Sequence, residues 1–160
     1  MNRIQPVDIS AIIAKSSVTD YPLNNLTRIL AHSRLAMDVY MQWQPLYRDV
    51  SSIVGLRVAY LYAYVISQTA GSAFYTNLFR GIIIDNHEDP DNLDLSEIEQ
   101  DLLCFGAEIA ESNGCIEEIT YDRLRGQYTD KEMVTLVAFA GQMIAANIFN
   151  NVLGIESADC

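Results

Sequence analysis

The chain has 160 residues, half of them apolar, with 10 basic and 21 acidic side chains and a formal charge of −11. That apolar fraction excludes a chain disordered throughout, and the length is that of one domain able to bury a core without disulfides or a structural metal. A pI near 4.4 excludes nucleic acid as a partner, because no continuous basic stripe is left for phosphates.

The charge is split along the chain. Residues 1–84 carry seven Lys/Arg against four Asp/Glu, a balance of +3, and residues 85–160 carry three against seventeen, a balance of −14. The first Glu is Glu88, so the first half offers no Glu as a metal ligand or general base. Only 19% of the residues are charged, few for an isolated soluble domain, which leads us to expect that part of the apolar surface is covered by further copies of the chain.

In chain order, residues 1–24 read as an N-terminal arm with apolar clusters at Ile9 to Ile13 and at Val18, expected to pack on a neighbouring subunit. From Asn25 a helical period sets in over Leu26, Ile29, Leu30, Leu35, Met37, Val39, Tyr40 and Trp43, with Pro45 expected to end or bend it. The domain is thus expected over 25–160. The next helix is expected near Val50 and runs through Ile53, Val54, Leu56, Val58, Leu61, Val65 and Ile66, apolar nearly all round, as in the middle of a bundle.

The 22 residues between Arg57 and Arg80 are uncharged and long enough for a bilayer. Ser67, Gln68, Thr69, Gly71, Ser72, Thr76 and Asn77 interrupt them, so two buried helices joined at a bend are expected and no membrane partner. The helix after the bend, Ser72 to Asp85, should turn Phe74, Leu78, Phe79, Ile82 and Ile83 inward.

An acidic connection follows, ending at Ser96. With Glu99 three residues on, this is an S-x-x-E capping box opening a helix of Ile98, Leu102, Phe105 and Ile109, and Asn113-Gly114 is its stop. A short helix is expected over Ile119 to Leu124. Gly126 then breaks the chain before a second capping box, Thr129 with Glu132, which opens a last helix carrying Met133, Val134, Leu136, Val137, Phe139, Met143, Ile144, Ile148 and Phe149. Asn147, Asn150 and Asn151 make that helix more polar than a core helix needs. No strand pattern survives, so the fold class is all-α.

Three cysteines, Cys104, Cys115 and Cys160, have neither metal-site nor C-x-x-C spacing. Cys104, in the run LLCF, reads as a small buried hydrophobe, and Cys115, after Asn113-Gly114, as a surface residue. The N-terminus lacks the basic region, apolar run and cleavage site of a secretory signal, so a reducing cytoplasm is the expected compartment.

Three segments in order, LYAYVISQTAGSAFYTNLF, IIIDNHEDPDNLDLSEIEQDLL and YTDKEMVTLVAFAGQMIAANIFNNVLGIE, make the stretch from about Ser33 to Ile155 resemble the carboxymuconolactone decarboxylase/alkylhydroperoxidase-D superfamily. The resemblance implies an AhpD-like multi-helix bundle assembled into dimers, trimers or hexamers, without metal or cofactor. In its peroxidase branch a Glu, a Cys-x-x-Cys pair and a His form a thiolate relay. These positions fall here on Tyr60, Ser72, Tyr75 and Phe79, so the resemblance implies a member without thiol peroxidase activity. Its decarboxylase branch points to Arg80 as an anion clamp with Tyr64, Tyr75 or His87 for proton transfer. The remaining alternative is a non-catalytic protein whose pocket, walled by Tyr60, Tyr64, Ser72, Tyr75 and Phe79 with Trp43 and Met143 nearby, takes a small apolar or aromatic molecule or is filled by its own rings.

Overall fold

The computed structural model describes residues 2–8 and 24–155. The described residues form helices and no strand: α1 (Asn25–Leu30), α2 (Arg34–Tyr40), α3 (Trp43–Val54), α4 (Leu56–Thr69), α5 (Ala73–Asp85), α6 (Glu97–Glu111), α7 (Glu118–Arg125) and α8 (Asp130–Leu153).

Local chemistry sets most of the boundaries. Asn24, Ser96 and Thr129 each accept a hydrogen bond from the backbone N–H three residues on. The side chains of Thr27, Glu99 and Glu132 return the contact to the cap backbone, so α1, α6 and α8 open on complete capping boxes. Asn113 and Gly114 both have positive φ just past α6, where the Gly114 N–H reaches the Ile109 carbonyl at 3.0 Å. Gly71, at φ 68°, makes the bend between α4 and α5.

The first helical run is broken more often than its periodicity suggests. It is three helices, α1, α2 and the start of α3, and Pro45 sits in the first turn of α3, where its missing N–H costs nothing. Leu35 and Val39 point outward, Leu35 at 74% exposure, because α2 buries the face of Met37 and Tyr40. Gly55, at φ 85° and ψ 154°, divides what reads as one helix from Val50 to Ile66, and leaves Leu56 exposed at the start of α4.

α4 is the centre of the bundle. Every residue from Val58 to Tyr64 is buried, and α3, α5, α6 and α8 pack around it. Leu78 on α5 is exposed, against expectation, and so are the apolar Ile98 on α6, Ile119 on α7 and Val134, Val137 and Ile148 on α8, for which the sequence set no direction. Each of these helices has only one neighbour-facing side, and an apolar residue is not evidence of which side it occupies.

The arm's clusters at Ile9 to Ile13 and Val18 lie outside the described residues. Its described part, residues 2–8, is bonded to the end of α8 and to α1: the Arg3 N–H donates to the Leu153 carbonyl at 2.8 Å, and the Arg28 Nε to the Val7 carbonyl at 2.9 Å.

Candidate functional site

The relay positions named by the resemblance do not converge on one point. Tyr60 lies near the start of α4, and Ser72 caps α5 beyond the other end of that helix. Tyr75 and Phe79 are one turn apart on α5, both buried.

Rings occupy the space between them. Tyr75 stacks on Phe79 with centroids 6.2 Å apart and meets Trp43 edge-on at 6.3 Å. Phe79 is 6.4 Å from Tyr47, which is 5.8 Å from Phe139, and Phe139 stacks on Tyr62 at 6.1 Å. Of the expected pocket walls, Tyr75, Phe79 and half-buried Trp43 are therefore partners of one another, and Met143 is fully buried on α8.

Tyr60 and Tyr64, a turn apart on α4, turn their hydroxyls away from this stack toward the acidic connection between α5 and α6. The Tyr60 hydroxyl donates to Glu88 Oε1 at 2.6 Å. Arg57 grips the other oxygen of the same carboxylate from Nε (2.8 Å) and Nη2 (2.6 Å), and also donates to Glu99 Oε1 and the Asp94 carbonyl at 2.9 Å each. Arg80 donates to both oxygens of Asp91, at 3.2 and 2.7 Å, and to the Tyr64 hydroxyl at 3.3 Å. Two arginines thus tie the connection down. His87 stands exposed at its start with φ 63°.

The electrostatics follow from these contacts. The Arg57 guanidinium, with help from Tyr60, holds the Glu88 carboxyl below its ordinary value. Glu99 is lowered first by the Ser96 backbone N–H and then by the Ser96 hydroxyl and Arg57. Burial, followed by Glu88, pushes Tyr60 up to about 12. Asp91 is lowered by Arg80.

Arg80 and Tyr64, two of the acid/base candidates, are thus brought together, while Tyr75 and His87 are not part of that contact. Arg80 already carries a carboxylate on its guanidinium fork, so an incoming acid would have to displace Asp91. Arg57, Glu88 and Glu99 are the members that sequence reasoning missed. Their signal was the placement of the two arginines at either end of an uncharged run facing an acidic loop.

Because the Glu88 and Glu99 carboxyls are lowered in the folded state, the stability they contribute is complete above the unfolded value near 4.5 and is lost as pH falls through the lower native values. Replacing Arg57 by Gln removes the largest cause of the lowering at Glu88 and a lesser one at Glu99, where Ser96 remains. With the Arg57 side chain 36% exposed, solvent screening limits the loss at neutral pH to about 1 kcal/mol. The expected result is a melting temperature difference between wild type and variant that is constant above pH 5 and closes below it. A difference independent of pH down to 3 would mean that Arg57 acts by packing and not by charge.

Cys104 is exposed, contrary to its reading as a buried hydrophobe; Cys115 is exposed as expected. On α6 the core is filled by Leu102, Leu103, Phe105, Gly106 and Ile109, which leaves position 104 facing out. There Cys104 lines a cleft of about 300 Å³ together with Glu97, Gln100, Asp101, Thr120 and Arg123. Among the described residues no group of three or more His, Cys, Asp or Glu could hold a metal ion. The chain matches no family model, no curated protein and no solved structure.

Proposed function

We propose that this protein is a non-redox, self-associating helical protein of carboxymuconolactone decarboxylase-like type, in which the positions of a thiol relay have been given over to packing. The observation that carries this reading is the engagement of the positions themselves: Tyr75 and Phe79 stack on each other, and Tyr60 is bonded to Glu88. Ser72, Tyr75, Tyr60 and Phe79 bear neither thiol nor imidazole, so no thiolate is made or resolved there.

Self-association is supported by the outer face of α8. Val134, Ala138, Gly141, Ala145, Ile148 and Val152 are all exposed and recur at intervals of 4, 3, 4, 3 and 4 residues, the spacing of a seam between paired helices. The stripe spans 19 residues, roughly 27 Å over its 18 steps at 1.5 Å each. It bears no charge on a chain of −11, so two copies meet there without like-charge repulsion. Nothing lies within 4 Å of where a Cβ would stand on Gly141, leaving room for a second helix at the middle of the stripe. α8 also has the length and apolarity of a membrane span, with a mean hydropathy of 1.5 over its most apolar window, but 39% of that window is buried inside the fold. A second copy of the chain accounts for the open side alone.

The test is mass by light scattering at micromolar concentration. The wild type is expected at a multiple of 17.9 kDa and Ile148→Glu at or near the single-chain mass with its helical circular dichroism intact. The same wild-type preparation should turn over no hydroperoxide with a dithiol donor. A wild-type mass near 17.9 kDa, or peroxide turnover abolished by Ser72→Ala, would sink the reading.

A second reading, an acid/base decarboxylase or lactone-converting enzyme, is favoured by one observation: the 3.3 Å approach of Arg80 to the Tyr64 hydroxyl. It requires Asp91 to leave Arg80 when substrate binds.

A further inference from the structure

Where the α4–α5 bend meets α8, several polar side chains are buried without full partners. The Ser72 Oγ, Asn147 Oδ1 and Asn150 Nδ2 make no hydrogen bond, the Tyr75 hydroxyl pairs with the Tyr40 hydroxyl, and the four residues Ser72, Tyr75, Asn147 and Asn150 are 0 to 1% exposed. An unpaired buried polar group is costly and rare, and three in one place call for an explanation.

They belong to one cluster. Asn147 Nδ2 donates to Ser67 Oγ at 3.3 Å, and the Ser72 N–H donates to the Ser67 carbonyl at 3.2 Å, so Asn147 and Ser72 both lie against the end of α4. Asn151 Nδ2 donates to the Gly71 carbonyl at 3.2 Å, which ties the bend itself to α8. One turn away, the Tyr40 hydroxyl shares its one proton between the Ala146 carbonyl at 3.1 Å and Asn150 Oδ1 at 3.3 Å, and it pairs with the Tyr75 hydroxyl. Asn147 and Asn150 are three residues apart on α8, as Ser72 and Tyr75 are at the start of α5, so the two levels are neighbours.

Turning the amides over does not remove the problem. With Asn147 reversed, its oxygen accepts from the Ser67 hydroxyl and its nitrogen is left over. With Asn150 reversed, its nitrogen faces Tyr40 and its oxygen is left over. Each amide keeps one unmatched atom in either orientation.

The set consists of one unmatched acceptor, one unmatched donor, the unmatched Ser72 hydroxyl, and the Tyr75 hydroxyl, which beside Tyr40 keeps a free bonding position. None of them is ionised at neutral pH, since burial pushes the Tyr75 hydroxyl up to about 12 and the Tyr40 hydroxyl higher still. No cation belongs to the cluster, so an anion has nothing to hold it. A neutral molecule that both donates and accepts, and makes two to four bonds in a small space, matches the set.

We propose that Ser72, Tyr75, Asn147 and Asn150 form a binding site for internal water between the α4–α5 bend and α8. The water completes the hydrogen bonding of the bend and fixes it against α8. The positions where the resemblance would have thiols are thereby a neutral, hydrated part of the core. This inference is independent of self-association and of the redox reading.

The sign of one mutational effect tests it. If Ser72 bonds to bound water, Ser72→Ala loses a hydrogen bond and leaves the water short of a partner, and the melting temperature falls by about 2–4 °C. If the hydroxyl is unpartnered, removing it relieves a desolvation cost, and the melting temperature rises or stays where it was. A direct reading on the unmutated protein is magnetisation transfer from long-lived water to the amide protons of Gly71, Ser72 and Thr76 and to the side-chain amides of Asn147 and Asn150. Cross-peaks in the wild type that weaken in Ser72→Ala are expected. Their absence, or a rise or no change in melting temperature for Ser72→Ala, overturns the proposal. Should that variant fail to fold, the wild-type cross-peaks decide alone.

Discussion

Phe139→Ala is expected to lose about 3–5 kcal/mol of stability, a fall in melting temperature of roughly 6–20 °C, while the far-ultraviolet circular dichroism at low temperature stays that of the wild type. Phe139 is fully buried on α8 and joins three helices: its ring stacks on Tyr62 of α4 at 6.1 Å and 29°, and meets Tyr47 of α3 at 5.8 Å. Removing the ring takes away transfer energy and leaves a void that the neighbours cannot close, since Tyr62 is fully buried and its hydroxyl is bonded to the Leu136 carbonyl at 3.3 Å. Val134→Ala, on the same helix but 69% exposed, supplies the contrast in the isolated chain, within about 0.5 kcal/mol of wild type. The measurement is chemical denaturation of both variants, made in the background of Ile148→Glu so that subunit contacts do not enter. A loss below about 1 kcal/mol for Phe139→Ala would mean that the ring stack through Tyr47 and Tyr62 does not hold the core together.

Gly106→Ala is the second substitution with a large effect, and helix propensity alone gets its sign wrong. In the interior of a helix such as α6, Ala is favoured over Gly by about 1 kcal/mol. A Cβ at position 106, however, would meet the edge of the Tyr62 ring, with Cδ2 at 2.9 Å, and Ile66 Cγ1 at 3.0 Å. Tyr62 is held between Phe139 and the Leu136 carbonyl and Ile66 is fully buried, so neither can step aside. Overpacking of this kind costs about 1–3 kcal/mol, and the net result is a destabilised protein. Gly81→Ala on α5, where nothing lies within 4 Å of the added carbon, should instead gain about 0.5–1 kcal/mol. The pair separates propensity from packing in one experiment. A Gly106→Ala variant as stable as Gly81→Ala would show that α6 can move away from α4.

What the sequence determined by itself is the set of features that residues a few positions apart decide. The S-x-x-E and T-x-x-E boxes opened α6 and α8 because each cap and its partner are three residues apart, within one turn. Asn113-Gly114 ended α6, and Gly71 bent the uncharged run into two helices, because both are properties of a residue's own backbone. The all-α class followed from the same local patterns.

The tertiary structure alone decided which side of each helix faces in, and with it the chemistry of the candidate site. Leu78, Ile98 and Val134 are as apolar as their buried neighbours, and Cys104 sits among Leu102, Leu103 and Phe105, yet all four face outward. The helical period fixes the angle between residues but not the direction of the bundle's centre. Tyr60 has Glu88 as its partner 28 residues on, Ser67 has Asn147 80 residues on, and Tyr40 has Asn150 110 residues on. Such pairs exist only once α4 lies at the centre with α8 and the acidic connection folded against it and Tyr40 of α2 reaches α8, and no local pattern along the chain carries that arrangement.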